Sequence, residues 1–163
     1  VLAYPVNVKV FETGSYSTED IHMTTGADAL NEATILAKKG RRVQLETVIG
    51  QDDAGKFIQA HCDDAGIMVR DACIKKDEKT GVNIVLVEQD GTRSFLTNPH
   101  GTLRSLKVEH IQMQFPESAK IVCFASIFVF PKIGPDKLVQ IFSQAKMQGK
   151  IVCADMTLSL IHI

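Results

Sequence analysis

Chemistry is most readily placed at Gly26-Ala27, a small and flexible pair just ahead of a helix-forming stretch that starts at Asp28. Backbone N–H groups in the first turn of a helix have no partner within it, and the helix dipole favours electron-rich atoms there. Asn31 falls in that turn, and its amide both donates and accepts, as a ligand hydroxyl does. A small polar ligand could dock at such a turn. On spacing alone the plainer reading is favoured, a glycine that shapes the turn and an asparagine that is solvated, because short glycine motifs are common by chance. A second candidate is Asp155, which follows the apolar run Ile151 to Ala154. Open α/β sheets bind ligands at the carboxyl ends of their strands, although a helix-capping aspartate fits the same place.

The cysteines and histidines carry less. Cys62, Cys73, Cys123 and Cys153 form no Cys-x-x-Cys pair, and Cys123 and Cys153 lie in apolar runs that read as buried strands, so reduced core thiols are expected. His61 beside Cys62 is the closest approach to a metal pair, but neighbours on a helix point about 100° apart. No metal site is expected. His22, His100 and His110 stand alone.

The elements that would position these residues alternate. Val6, Val8 and Val10 have the period of a half-buried strand, and Thr13-Gly14-Ser15 turns the chain toward a second extended piece near Ile21 to Thr25, an opening hairpin. Leu30, Ala33, Leu36 and Ala37 predict a helix over Asp28 to Lys39, capped by Asp28 and stopped by Gly40. Val43 to Ile49 reads as a strand ending at Gly50, and Asp52-Asp53 precede a helix carrying Phe57, Ile58, Cys62 and Ala65, stopped by Gly66. Ile67 to Ile74, Gly81 to Val87 and Arg93 to Thr97 then read as three strands with no helix between them, the last two joined by a tight Asp90-Gly91 turn. A short helix near Val108 to Met113 is followed by Ile121 to Ala125, a helix from Pro135 to Met147, and Ile151 to Ala154, which together predict a βαβ unit with parallel strands.

Composition sets the outer bounds. The 163 residues are 45% hydrophobic and 23% charged, the profile of one globular domain. Eighteen basic and nineteen acidic residues leave a charge of −1, too little positive field to hold nucleic acid or an acidic membrane surface. The longest apolar run, Ile121 to Phe130, is interrupted by Ser126 and is about half of the ~20 residues a membrane crossing needs. No export signal is visible after Val1, and a cytoplasmic location is expected.

A longer pattern is more specific than the glycine pair. Gly26-Ala27-Asp28-Ala29-Leu30-Asn31-Glu32-Ala33, then Gly40, then Gly50-Gln51-Asp52-Asp53-Ala54-Gly55, resembles a signature of the ribokinase-like (PfkB) carbohydrate kinases. Thr80-Gly81, the turn Asp90-Gly91-Thr92-Arg93 and the strand-end Asp155 also have counterparts, so the resemblance covers residues 1–157. It implies an α/β fold, a ribokinase-like (Rossmann-like) three-layer sandwich with a small β-sheet lid, here truncated to its N-terminal half, with lid strands at about 6–25 and 67–97. The implied activity is transfer of a phosphoryl group from ATP, with Mg2+, to a sugar hydroxyl. By position, Gly26, Ala27, Asp28, Asn31 and Arg93 would bind the sugar, and Asp155 would lie on the phosphate and metal side. A homodimer through the lid is the implied partner arrangement.

Departures qualify the resemblance. Ala27 stands where the family usually has a second glycine, and the Gly-Ala-Gly-Asp motif that supplies the family's anion hole and catalytic aspartate does not occur in the chain. Residues 158–163 fit no family element and read as a non-native tail, which leaves His162 without a function. Two alternatives stay open: a non-catalytic sugar-binding or regulatory module, and a nucleoside kinase of the same family.

Overall fold

The computed structural model describes residues 1–6 and 10–156. The chain opens with β1 (Leu2–Tyr4), a single helical turn α1 (Val10–Thr13) and β2 (Asp20–His22), which runs antiparallel to β1 with Ala3 opposite Ile21. The predicted opening strand at Val6 to Val10 is therefore displaced. Residues 7–9 lie outside the described residues, Val10 begins α1, and Val6 only sends its N–H to Val87 O at 2.9 Å. Three alternating valines are a weak signal, and the ladder instead uses Leu2 to Tyr4, just ahead of Pro5, which has no N–H to donate.

The next segment forms helix α2 (Asp28–Lys38), β3 (Val43–Leu45), β4 (Ile49–Gly50), helix α3 (Asp53–Ala65), β5 (Ile67–Val69) and β6 (Ile74–Lys75). β3 pairs in parallel with β5, and β4 with β6. Leu30 and Ala33 of α2, Leu45 of β3, Cys62 of α3 and Ile67 of β5 pack into one core, which is why the apolar spacing of α2 is helical on that side alone. Asp52 caps α3 by accepting from Gly55 N at 2.9 Å, and Gly66 ends it in the left-handed conformation at φ +69°.

β7 (Asn83–Val87) and β8 (Arg93–Thr97) pair antiparallel through the Asp90-Gly91 turn, and β7 runs parallel to β1, giving a four-stranded sheet in the order β2-β1-β7-β8. The strand cluster expected at 67–97 thus divides. Its first part, β5 and β6, belongs with the α/β core, because Ile67 is buried against Leu45 and Cys62. Only β7 and β8 join the small sheet.

β9 (Ile121–Phe124), helix α4 (Pro135–Met147) and β10 (Ile151–Ala154) complete the described chain, with β9 and β10 parallel and in register. Phe124, Ile133 and Ile141 pack with Val48 and Leu106 in a second core. Phe124 makes edge-on contacts with Phe130 and Phe142, centroids 5.6 and 6.2 Å apart. Only one face of β9 enters this core. Cys123 and Cys153, expected to be buried, are exposed opposite each other on the other face, while the free thiols of Cys62 and Cys73 are buried. The helix expected near Val108 to Met113 is a single 3-10 turn, Val108–His110. Its backbone is claimed by side chains: Arg70 donates to His110 O at 3.1 Å while paired with Glu46, whose carboxylate accepts from Gln112 N at 3.1 Å. No described helix is long and apolar enough to cross a membrane.

The two sheets meet at a polar knot. The Thr80 hydroxyl donates to Asp52 Oδ1 at 2.6 Å and accepts from Gly50 N at 2.9 Å, and Thr80 N donates to Asp52 Oδ2 at 2.9 Å. Thr80 is 4% exposed. The backbones are so close that a Cβ on Gly50 would lie 2.4 Å from Glu78 O, and one on Gly55 would lie 1.9 Å from Gly50 O. The pattern Gly50-x-Asp52-x-x-Gly55 is therefore a packing requirement. Burial alone would raise the Asp52 pKa, but its hydrogen bonds from Thr80 and Gly55 outweigh that and hold it below the usual carboxylate value. Thr80→Val should cost about 1–3 kcal/mol, because the Gly50 N–H and an Asp52 oxygen lose their shared partner. Asp52→Asn should also destabilise, with the following pH dependence. A lowered folded pKa stabilises fully above the unfolded value of about 3.9 and is lost as pH falls through the folded value. Urea midpoints of wild type and Asp52→Asn should therefore converge in acid, and a gap independent of pH would contradict this account.

Candidate functional site

Helix α2 begins beside the carboxyl end of β9, and the turn that leads into it is fixed from two sides. On one side stands His61 of α3. The Thr34 hydroxyl donates to Leu30 O at 2.7 Å, so its proton is committed, and its contact with His61 Nε2 at 2.9 Å must be donated by the ring. The other ring nitrogen then accepts from the Thr25 hydroxyl at 3.4 Å. His61, singled out with Cys62 as the nearest thing to a metal pair, instead ties α3 to α2 and to the residue before Gly26.

On the other side stands Ser126, in the loop after β9. Its hydroxyl donates to Asp28 Oδ2, and its N–H donates to Asp155 Oδ2 at 3.3 Å. Asp155 N reaches back to Phe124 O at 3.0 Å, and Asp155 O accepts from Ile127 N at 3.1 Å, so the ends of β9 and β10 are knitted together under the same serine. Ser126 is 6% exposed and has φ +54°, a left-handed conformation uncommon for a residue with a side chain. Farther along α2, Cys123 Sγ donates to Glu32 Oε2 at 3.3 Å. Desolvation and the Glu32 carboxylate push the Cys123 pKa up to about 11, so the thiol stays protonated.

Between these anchors lies the turn itself. Ala27 is the N-cap residue of α2 at φ +74° and ψ 142°, and its carbonyl accepts from Asn31 N at 3.0 Å. Asp28, expected to be the cap, is the first helical residue, because its side chain is drawn to Ser126. Ala27 offers no side chain to cap α2, and Gly26, Ala27 and Asn31 are exposed. A Cβ on Gly26 would meet nothing within 4 Å, so the fold itself leaves open space in front of this turn.

The structure thus brings Gly26, Ala27, Asp28 and Asn31 together on one turn and joins Asp155 to them through Ser126. Arg93 is not among these contacts: it is the first residue of β8, exposed, opposite Val87 in the small sheet. The residues that hold the turn, Thr25, His61 and Ser126, were not legible as a group. The only trace of Ser126 in the sequence is that a hydroxyl breaks the apolar run Ile121 to Phe130.

A family model described as pfkB family carbohydrate kinase matches residues 3–161, and the chain belongs to that family. Solved structures share its fold, which is the ribokinase-like α/β architecture expected from the sequence. A PfkB protein from Polaromonas sp. JS666 superposes with a TM-score of 0.76 at 20% identity, over 96% of this chain and 51% of its own. Fructokinase from Xylella fastidiosa, solved with bound ATP, gives 0.72 at 23% identity, over 98% and 49%. An E. coli protein solved with ATP and Mg2+ gives 0.67 at 18% identity, over 82% and 42%. The chain spans about half the length of these proteins.

Among the described residues no three His, Cys, Asp or Glu side chains are grouped to hold a metal ion, and Asp155, expected on the phosphate and metal side, accepts from Ser126 N–H through Oδ2.

Ala27 sits where only glycine is at ease, at a cost of about 1–3 kcal/mol, while a glycine loses about 0.4–1 kcal/mol more chain entropy on folding. Ala27→Gly should therefore stabilise the chain by about 1 kcal/mol, seen as a higher denaturation midpoint. A lower midpoint would show that Ala27 is not held at positive φ.

Proposed function

We propose that this chain forms the acceptor-binding part of a carbohydrate kinase, a longer polypeptide that phosphorylates a sugar hydroxyl at the expense of ATP. The observation that carries the reading is the open N-terminal turn of α2, in a chain of the pfkB family. A sugar presents several hydroxyls, each able to donate and to accept. First-turn N–H groups of a helix favour such oxygens, and the Asn31 amide can both donate to one hydroxyl and accept from another. Asp28 adds a carboxylate beside the turn, already oriented by Ser126. In this proposal Gly26, Ala27, Asp28 and Asn31 bind the sugar, and Arg93 reaches it only if the small sheet approaches α2. Asp155 stands on the phosphate and metal side, and most groups that hold ATP and Mg2+ belong to the rest of the longer polypeptide. Fructokinases among the solved structures that share the fold favour a sugar over a nucleoside as acceptor.

The test is kinetic. With Mg2+ and ATP, the longer polypeptide should release ADP in response to at least one member of a panel of hexoses, pentoses and sugar acids. Leaving a sugar hydroxyl unpaired in a closed site costs about 1–3 kcal/mol, so Asn31→Ala should lower kcat/KM for the sugar roughly ten- to a hundred-fold. KM for ATP should be unchanged. Sugar binding without ADP release would favour a non-catalytic module, and equal loss for sugar and ATP would remove Asn31 from the acceptor site.

A further inference from the structure

We propose that Ser126 is a positioning residue for the acceptor site, a two-headed donor that fixes the α2 turn to the carboxyl edge of the β9-β10 pair. The inference rests on the reading of that turn as the sugar site. Its basis is the division of labour at one buried residue: the hydroxyl donates to Asp28, at the start of α2, and the N–H donates to Asp155, at the end of β10. Those two carboxylates belong to segments 127 positions apart in the chain, and like charges placed near one another repel unless donors lie between them. Ser126 supplies both donors at once.

The backbone conformation is what makes this arrangement possible. At φ +54° the chain turns sharply after β9, so that the N–H and the side chain of the same residue point at two different strand and helix ends. That conformation is disfavoured for serine, where glycine would be free of strain, yet a glycine would have no hydroxyl to offer Asp28. The side chain is thus kept at a position whose backbone prefers none. Gly26, Ala27 and Asn31 are carried on the segment that Asp28 starts, so the bond to Ser126 sets where they stand relative to the sheet edge. Ser126 itself is buried and acts on the sugar only through the segment that Asp28 starts.

Two variants of the longer polypeptide test this, assayed beside Asn31→Ala. Ser126→Gly keeps the backbone and removes the hydroxyl. KM for the sugar should rise about tenfold, while KM for ATP stays within about twofold and the melting temperature does not fall. Ser126→Asn, which tolerates a left-handed backbone and carries an N–H donor, should recover most of the sugar affinity. If Ser126→Gly leaves sugar kinetics unchanged while Asn31→Ala impairs them, the proposal fails and the sugar site stands. Should Ser126→Gly weaken sugar and ATP alike and lower the melting temperature, with no rescue by Asn, Ser126 is structural only and the proposal also fails. If neither Ser126→Gly nor Asn31→Ala affects the sugar, the site reading falls and the positioning role falls with it.

Discussion

The hydroxyl of Thr80 is the contact on which most of the architecture depends. It joins two chain segments about 30 positions apart: the β4-α3 junction, at Gly50 and the Asp52 cap, and the strand entry that leads to β7. The parallel α/β core and the small mixed sheet are thereby tied at one point, where the backbones are too close for any side chain on Gly50 or Gly55. A charge-assisted network of this kind is expensive when incomplete and specific when complete. Here it fixes where the chain leaves one sheet for the other, and so where Arg93 and the rest of β8 stand relative to α2.

A second set of polar contacts works at the start of α2. Thr25 is held by His61, Asp28 by Ser126, and the strained Ala27 lies between. Two anchors on either side of a residue at positive φ resist its relaxation, so the turn keeps its conformation beside the open space in front of Gly26. Preorganisation is what a weakly held, highly hydrated ligand such as a sugar requires. Each hydroxyl exchanges good hydrogen bonds to water for bonds to protein, and only groups already in position make that exchange favourable.

How much of this can be read from the residues follows from what each signal encodes. Helix α2 is legible because Leu30 and Ala33 share one face and Gly40, at φ +73°, stops the chain. The β7-β8 hairpin is legible because Asp90-Gly91 demands a tight turn, and Gly91 indeed lies at φ +88°. Apolar periodicity says which face of a strand is covered, not which strand lies beside it, so β5 could be assigned to the wrong sheet. Continuous apolar runs mislead in the same way: Ile121 to Phe124 looks buried throughout, but only its Phe124 side reaches the core, leaving Cys123 exposed. The Gly26 to Asn31 turn is visible as a local motif. Its anchors are not, because the bonds from Ser126 to Asp28 and from His61 to Thr25 span 98 and 36 positions and carry no local pattern.

The central claim is that the α2 turn receives the acceptor. Amide NMR of the isotopically labelled longer polypeptide, titrated with each sugar of the panel, addresses this most directly. The account predicts saturable shifts of the Gly26, Ala27 and Asn31 amides, with the Asn31 side-chain NH2 moving along with them. Phosphorylation of a sugar that leaves these resonances unmoved, while others elsewhere titrate, would contradict it.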